Sequence, residues 1–226
     1  IEVLQGNNEA MYGNDPIIDP NDENITLGDE VRAPSMYVGY LKTSFDIGDT
    51  TVLPGLSYAY GSSRLDHMDD TEDPHAFSGD SSLYGVDLTI KHYFDSYSFL
   101  SWQSEWLMRQ MDGTQSVDDL GVTKSSELTK KQAGYYTQLV YAYNQNWRMA
   151  ARYDNIYQNE ITGKDMIEGF ERYSAMAEYH PSEFSRIRLQ YNHNSALYNE
   201  AGEQQDIDTV MVQFNIAIGA HGAHSF

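Results

Sequence analysis

The sequence predicts an all-β fold: an antiparallel transmembrane β-barrel, or the C-terminal portion, roughly ten strands, of a larger one. Three observations predict it. Segments with strict period-two alternation recur along the chain, the connections between them alternate between short and long, and 18 Tyr, 8 Phe and 3 Trp favour strands and membrane interfaces. Mean hydropathy is -0.58 and no run reaches the roughly 18 apolar residues of a spanning helix. That excludes helical spans only, because strands that alternate lipid-facing with lumen-facing residues dilute their own hydropathy.

Nine segments alternate. The first covers 31–47, with Leu41, Thr43, Phe45 and Ile47 opposite Lys42, Ser44 and Asp46. After Gly48-Asp49, the second places Val52, Pro54, Leu56, Tyr58 and Tyr60 against Gly55, Ser57, Ala59 and Gly61; Pro54 donates no ladder bond and marks a strand start or a bulge. The third, 83–94, sets Tyr84, Val86, Leu88 and Ile90 against Asp87, Thr89 and Lys91. In the fourth, 99–110, Leu100, Trp102, Trp106 and Met108 oppose Gln103, Glu105 and Arg109; Trp102, Trp106 and Arg109 also have helical spacing, but the neighbouring strands favour strand. The fifth and sixth form the clearest hairpin, Tyr135 to Tyr143 and Trp147 to Asp154 around Asn144-Gln145-Asn146. The seventh, 166–179, turns at Pro181-Ser182-Glu183 into the eighth, where Ile187, Leu189 and Tyr191 alternate with Arg186, Arg188, Gln190 and Asn192.

The ninth alternates most regularly: Val210, Val212, Phe214, Ile216 and Ile218 face away from Met211, Gln213, Asn215, Ala217 and Gly219. It exceeds the roughly 9–11 residues a tilted strand needs to cross a bilayer. Short turns at 48–49, 95–96, 144–146 and 181–183 alternate with predicted extracellular loops at 7–30, 62–80, 112–129, 158–165 and 199–205, the asymmetry of a spanning barrel. The whole of 1–226 reads as one β-barrel region, with residues 1–4 the upper end of a further strand. Because bacterial barrels have even strand counts, the chain is expected to be the later part of a longer one.

A net charge of -20 argues against nucleic-acid partners, and the absence of cysteine excludes a disulfide scaffold and thiol chemistry. No glycine-rich strand-to-helix unit offers a nucleotide site.

The closing pattern of alternate hydrophobics with Phe214, Ile216, Ile218 and terminal Phe226 resembles the assembly signal of Gram-negative outer-membrane β-barrel proteins. The resemblance implies residence in the bacterial outer membrane, with the lipid bilayer and the outer-membrane assembly machinery as partners. It extends over about 31–226 and is porin-like, which implies passage of small solutes or ions. The stretch 219–226 also looks like the ends of TonB-dependent receptors; a receptor whose plug lies upstream would add TonB as a partner. A non-conducting structural or partner-binding barrel and an outer-membrane hydrolase are the alternatives from other classes.

Most of the strand charges fall on the face opposite the aliphatic residues: Lys42, Asp46, Asp87, Lys91, Glu105, Arg109, Arg148, Arg152, Asp154, Arg172, Glu178 and Arg188. In a barrel these line the lumen, as selectivity residues or as an ion-paired core bracing the wall. Asp66, Asp69, Asp70, Glu72 and Asp73, beside His67 and His75, offer hard ligands for Ca2+ or another divalent cation without the fixed order of an EF-hand. His221 and His224 offer imidazoles, on opposite faces of an ideal strand. His193, Asn194 and Ser195 carry the residue types of a hydrolase, but adjacent strand residues point in alternating directions and form no triad by adjacency. The expected chain is therefore not an enzyme.

Overall fold

The computed structural model of the protein describes residues 1–8, 11–162, 169–198 and 204–217. In chain order the strands are β1 (Glu2–Leu4), β2 (Ile17–Asp19), β3 (Asp22–Gly28), β4 (Met36–Lys42), β5 (Phe45–Ile47), β6 (Thr50–His67), β7 (His75–Tyr93), β8 (Phe99–Asp118), β9 (Thr123–Ala142), β10 (Trp147–Ile161), β11 (Phe170–Ser182), β12 (Ser185–Tyr198) and β13 (Gln204–Ile216). Eleven of them form one antiparallel sheet in the order β1-β4-β6-β7-β8-β9-β10-β11-β12-β13, with β5 also on β6; β2 and β3 form a separate hairpin. From β6 onward every neighbour in the sheet is the neighbour in sequence, the up-and-down order that short turns produce. The described sheet is open, with β1 at one edge and β13 at the other. There is no helix among the described residues, and Trp102, Trp106 and Arg109 lie on strand β8.

The first expected strand, 31–47, is two strands. Lys42 pairs with Gly55 and Phe45 with Val52, so the break at Thr43-Ser44 falls opposite Leu53-Pro54. Pro54 has no N–H to give, and its carbonyl takes the Thr43 N–H at 3.3 Å where the ladder is interrupted. Pro54 itself lies inside β6 rather than at its start, with its ladder to β7 unbroken.

The expected long loops at 62–80 and 112–129 are mostly strand. β6 and β7 pair without a register shift from Thr50↔His92 to His67↔His75, leaving 68–74 as the connection. β8 and β9 pair from Phe99↔Ala142 to Asp118↔Thr123, leaving 119–122. At the opposite end the connections are tight and closed by side chains: Asp95 Oδ1 accepts from Tyr97 and Ser98 N–H, and Asn144 Oδ1 from Asn146 and Trp147 N–H. Gly48 turns β5 into β6 with φ +60°, a conformation that glycine adopts without steric cost.

The described residues of 7–30 are not a free loop. Met11 O accepts from Ser81 Oγ at 3.1 Å, Tyr12 is buried, and Gly13 N–H donates to Ser62 O on the stretch of β6 beyond its pairing with β4. Past Gly13 the chain reaches the other side of the sheet. Gly28 lies against Arg64 and Ser78, which pair directly and share the face opposite to Gly61 and Ser81. Asp19 Oδ1 accepts from Thr123 Oγ1 at 2.8 Å, and Arg64 Nε donates to Asp29 O, so the β2-β3 hairpin covers the extended ends of β6 to β9. Residues 1–4 contribute β1, which pairs with β4 from Glu2↔Val38 to Leu4↔Met36.

The two faces of the large sheet differ in chemistry. One carries Val52, Leu88, Ile90, Leu139, Met149, Leu189, Val210 and Val212, in rows fixed by the register. Aromatic tiers bound this belt. On the long-strand side stand Tyr58 and Tyr84, with ring centroids 4.9 Å apart, and Tyr135, Tyr153 and Tyr173, with successive rings 6.0 and 5.0 Å apart. Near the short turns stand Trp147 against Tyr179 at 4.8 Å and Tyr141 beside Phe94 and Tyr143. Much of this face is bare: Val210 is 68% exposed and Phe214 70%. A soluble monomer rarely exposes so large an apolar patch.

Candidate functional site

The register brings the strand charges together on the opposite face. Lys42, Gly55, Asp87, Glu105, Tyr136, Asp154, Arg172 and Asn194 are paired in turn across neighbouring strands and form one transverse row. Arg152 lies in the next row toward the short turns, beside Gln138, Gln103 and Thr89. Lys91 follows with Thr51, which pairs with Asp46, and then Arg148, Glu178 and Arg188 form a row of their own. Arg109 shares the face on the other side of the first row, paired with Gln132. All twelve charged residues expected to share a face therefore do so.

The row is linked by side chains as well as backbone. Lys42 Nζ reaches Asp87 Oδ1 at 2.8 Å across the intervening strand β6. Gly55 makes this reach possible, because a Cβ built there would stand 2.0 Å from Asp87 Oδ2. Arg152 is held by Asp154 through Nε at 2.9 Å and Nη2 at 2.6 Å, and stacks over the Tyr136 ring 3.8 Å from its centroid. Arg109 donates to Gln132, whose amide donates to Asn159, and Arg172 Nε donates to Asn194 Oδ1 at 2.5 Å. Phe170, Ile156 and Leu107 stand above the row and help line a cavity of about 520 Å3 with Arg109, Glu105 and Arg172.

Among the described residues Glu178 is the one charged group of the face that is nearly sealed, at 2% exposed. Its carboxylate accepts from Arg188 Nε at 2.8 Å and from His180 Nε2 at 2.5 Å, and Arg186 Nη1 lies 3.6 Å away. A buried carboxylate requires such partners. Arg186 shares this face with Arg188, since both alternate with Ile187 on β12. It was visible in the alternation of the eighth strand, but its position next to the turn hid its part in the cluster.

Of the remaining candidates, Asp66 Oδ1 accepts from Met68 N–H, and Asp70 Oδ1 from the N–H groups of Glu72 and Asp73. These backbone hydrogen bonds hold the Asp70 carboxyl below its ordinary value of 3.8. Asp69 and Asp73 lie in the same connection, and among the described residues no group of three or more His, Asp or Glu is arranged to hold a metal ion. His221, His224, Ile218 and Phe226 lie outside the described residues; Phe214 and Ile216 stand exposed on β13. His193 Nδ1 lies 2.9 Å from Asp208 Oδ1, while Asn194 points to the other face and Ser195 Oγ donates to Glu171 O. The serine is therefore engaged with backbone and is not bonded to the histidine.

No protein-family model matches the chain. The chain is 42% identical over 234 residues to an uncharacterized protein of Aquifex aeolicus (strain VF5). All of the chain is covered by that match, and it spans 47% of the relative's length, about half of the curated relative it matches.

Proposed function

We propose that the chain forms part of an outer-membrane β-barrel whose charged face lines a passage for small solutes or ions. One observation carries the reading: an aliphatic belt between two aromatic tiers on one face, with the charges of the rows between those tiers confined to the other. Lipid selects the first face, because the tiers match the headgroup levels and strands β7 to β12 are each hydrogen-bonded to a neighbour on both sides, which satisfies their backbone groups. Water selects the second, where Lys42 and Asp87 remain 48% and 28% exposed despite their contact. Pairs this wet contribute at most about 1 kcal/mol each to stability, so bracing the wall is a weak reason for their presence.

A second reading has its own support. Met11 and Tyr12 lie over Gly61 and Ser81 on the charged face, as a plugging or gating segment would. Tyr12 is 2% exposed.

Single-channel conductance of the full-length protein in a planar bilayer, with ion selectivity, separates the readings. Stable steps support the open passage. Silence from folded, inserted protein removes it in favour of a plugged receptor or a structural barrel.

A further inference from the structure

Near the short turns the charged face encloses a cavity of about 430 Å3 whose polar lining is Thr51, Thr89, Lys91, Ser101, Gln103 and Arg148, completed by apolar side chains. No carboxylate lines it. Of the neighbouring acids, Asp87 is engaged with Lys42, Asp154 with Arg152 and Glu178 with Arg188, while Asp46, which accepts from the Thr51 hydroxyl, lies with Asp49 and Asp95 in the adjoining recess beyond Thr51 and Tyr93. Among the described residues Lys91 has no carboxylate within ion-pair distance; its ammonium lies 4.1 Å from the Phe99 ring centroid and 4.6 Å from that of Tyr93. Arg148 has no ion pair among them either, and its Nε–H is buried without an acceptor. A buried donor with no acceptor is costly, and a guanidinium fork beside an ammonium matches an oxyanion better than a spherical ion. In a chain of net charge -20, two uncompensated cations around one cavity mark a site for an anion.

We propose that this cavity binds a small oxyanion, the carboxylate or phosphate of a solute, with Arg148 and Lys91 as the charge partners and the Thr89 and Ser101 hydroxyls as additional donors. The proposal rests on the charged face being a water-filled lumen and names the solute class that lumen favours. Thr51 is already committed to Asp46, so it shapes the site rather than binding the anion.

The test uses the full-length protein in detergent, titrated calorimetrically with inorganic phosphate, alongside conductance in bilayers. Saturable binding is expected. Arg148→Gln and Lys91→Gln should each weaken it by about tenfold or more, and Arg148→Lys by less, whereas Lys124→Gln at the distant start of β9 should not change it. Absence of saturable binding, or wild-type affinity in folded Arg148→Gln and Lys91→Gln, overturns the site. If those variants do not fold, phenylglyoxal modification of Arg148 in the wild-type protein decides: phosphate must slow it, and an unchanged rate overturns the proposal. Phosphate binding without conductance keeps the site and rejects open passage; conductance without phosphate binding does the reverse.

Discussion

Leu139 and Gln138 are neighbours on β9 that face opposite sides of the sheet, and an arginine at each should have very different consequences. Leu139 pairs with Trp102 on one side and Ala151 on the other, with Tyr135 and Tyr143 four residues away in each direction. At roughly 3.3 Å per residue and a tilt of roughly 40°, that places it about 10 Å from the rows of Tyr135 and Tyr143 and about 5 Å from Tyr141, inside the belt. On the proposed membrane reading, Leu139→Arg puts a guanidinium inside the hydrocarbon layer, at a cost of about 2–4 kcal/mol. Gln138→Arg removes the 3.2 Å hydrogen bond to Gln103 and adds a cation in Arg152's row, costing about 1 kcal/mol in a wet lumen. The assay is reversible urea unfolding of the full-length protein in phospholipid vesicles. Equal costs at the two positions, or a neutral Leu139→Arg, would refute the assignment of faces.

Glu178→Gln should destabilise the folded protein by about 3 kcal/mol in the same assay, because Arg186, Arg188 and His180 would surround an uncharged group in a sealed position. A cost below about 1 kcal/mol would mean that water reaches the cluster. Gly13→Ala should release the β2-β3 hairpin, since a Cβ at that position would lie 2.2 Å from the Arg64 carbonyl oxygen; proteolysis within 15–30 should rise by about tenfold or more. Lys124 holds the Asp119 carboxyl below 3.8 through its hydrogen bond, as backbone donors do for Asp70. With folded values depressed, both contributions are present above pH 3.8 and are lost as pH falls through the lower folded values. Amide exchange at Glu72 and Asp73, whose N–H groups donate to Asp70, should keep its pattern at pH 5 and gain opening as pH falls below 3.8, after correction for intrinsic rates. Unchanged protection there would contradict the turn geometry.

Period-two alternation was sufficient to place the charges, because a one-residue slip of a strand with one apolar face would move every side chain to the opposite face. The signal ends where the belt ends. Thr123-Lys124-Ser125-Ser126-Glu127 and its partner stretch from Thr114 to Asp118 are polar on both faces apart from Val117, so no apolar alternation distinguishes their pairing from a loop. The split between β4 and β5 was equally hidden, although Pro54 announced it from the strand across. For residues 7–30, Asp19-Pro20-Asn21-Asp22 is a recognisable turn, but the buried positions Tyr12 and Ile17 depend on contacts with β6 and β7 that no local pattern encodes. The cavity at Lys91 and Arg148 required tertiary information of another kind: which cations lack a carboxylate once the others have paired.

The chain contains no cysteine, so single cysteines introduced from Tyr135 to Ala142 of the full-length protein can each carry a fluorophore. Quenching by aqueous iodide and by lipid-borne nitroxides, measured position by position in vesicles, tests the central claim most directly. The account predicts strict alternation, with odd positions quenched from lipid and even positions from water. Aqueous quenching at Leu139 and Tyr141 equal to that at Gln138 and Val140 would contradict it.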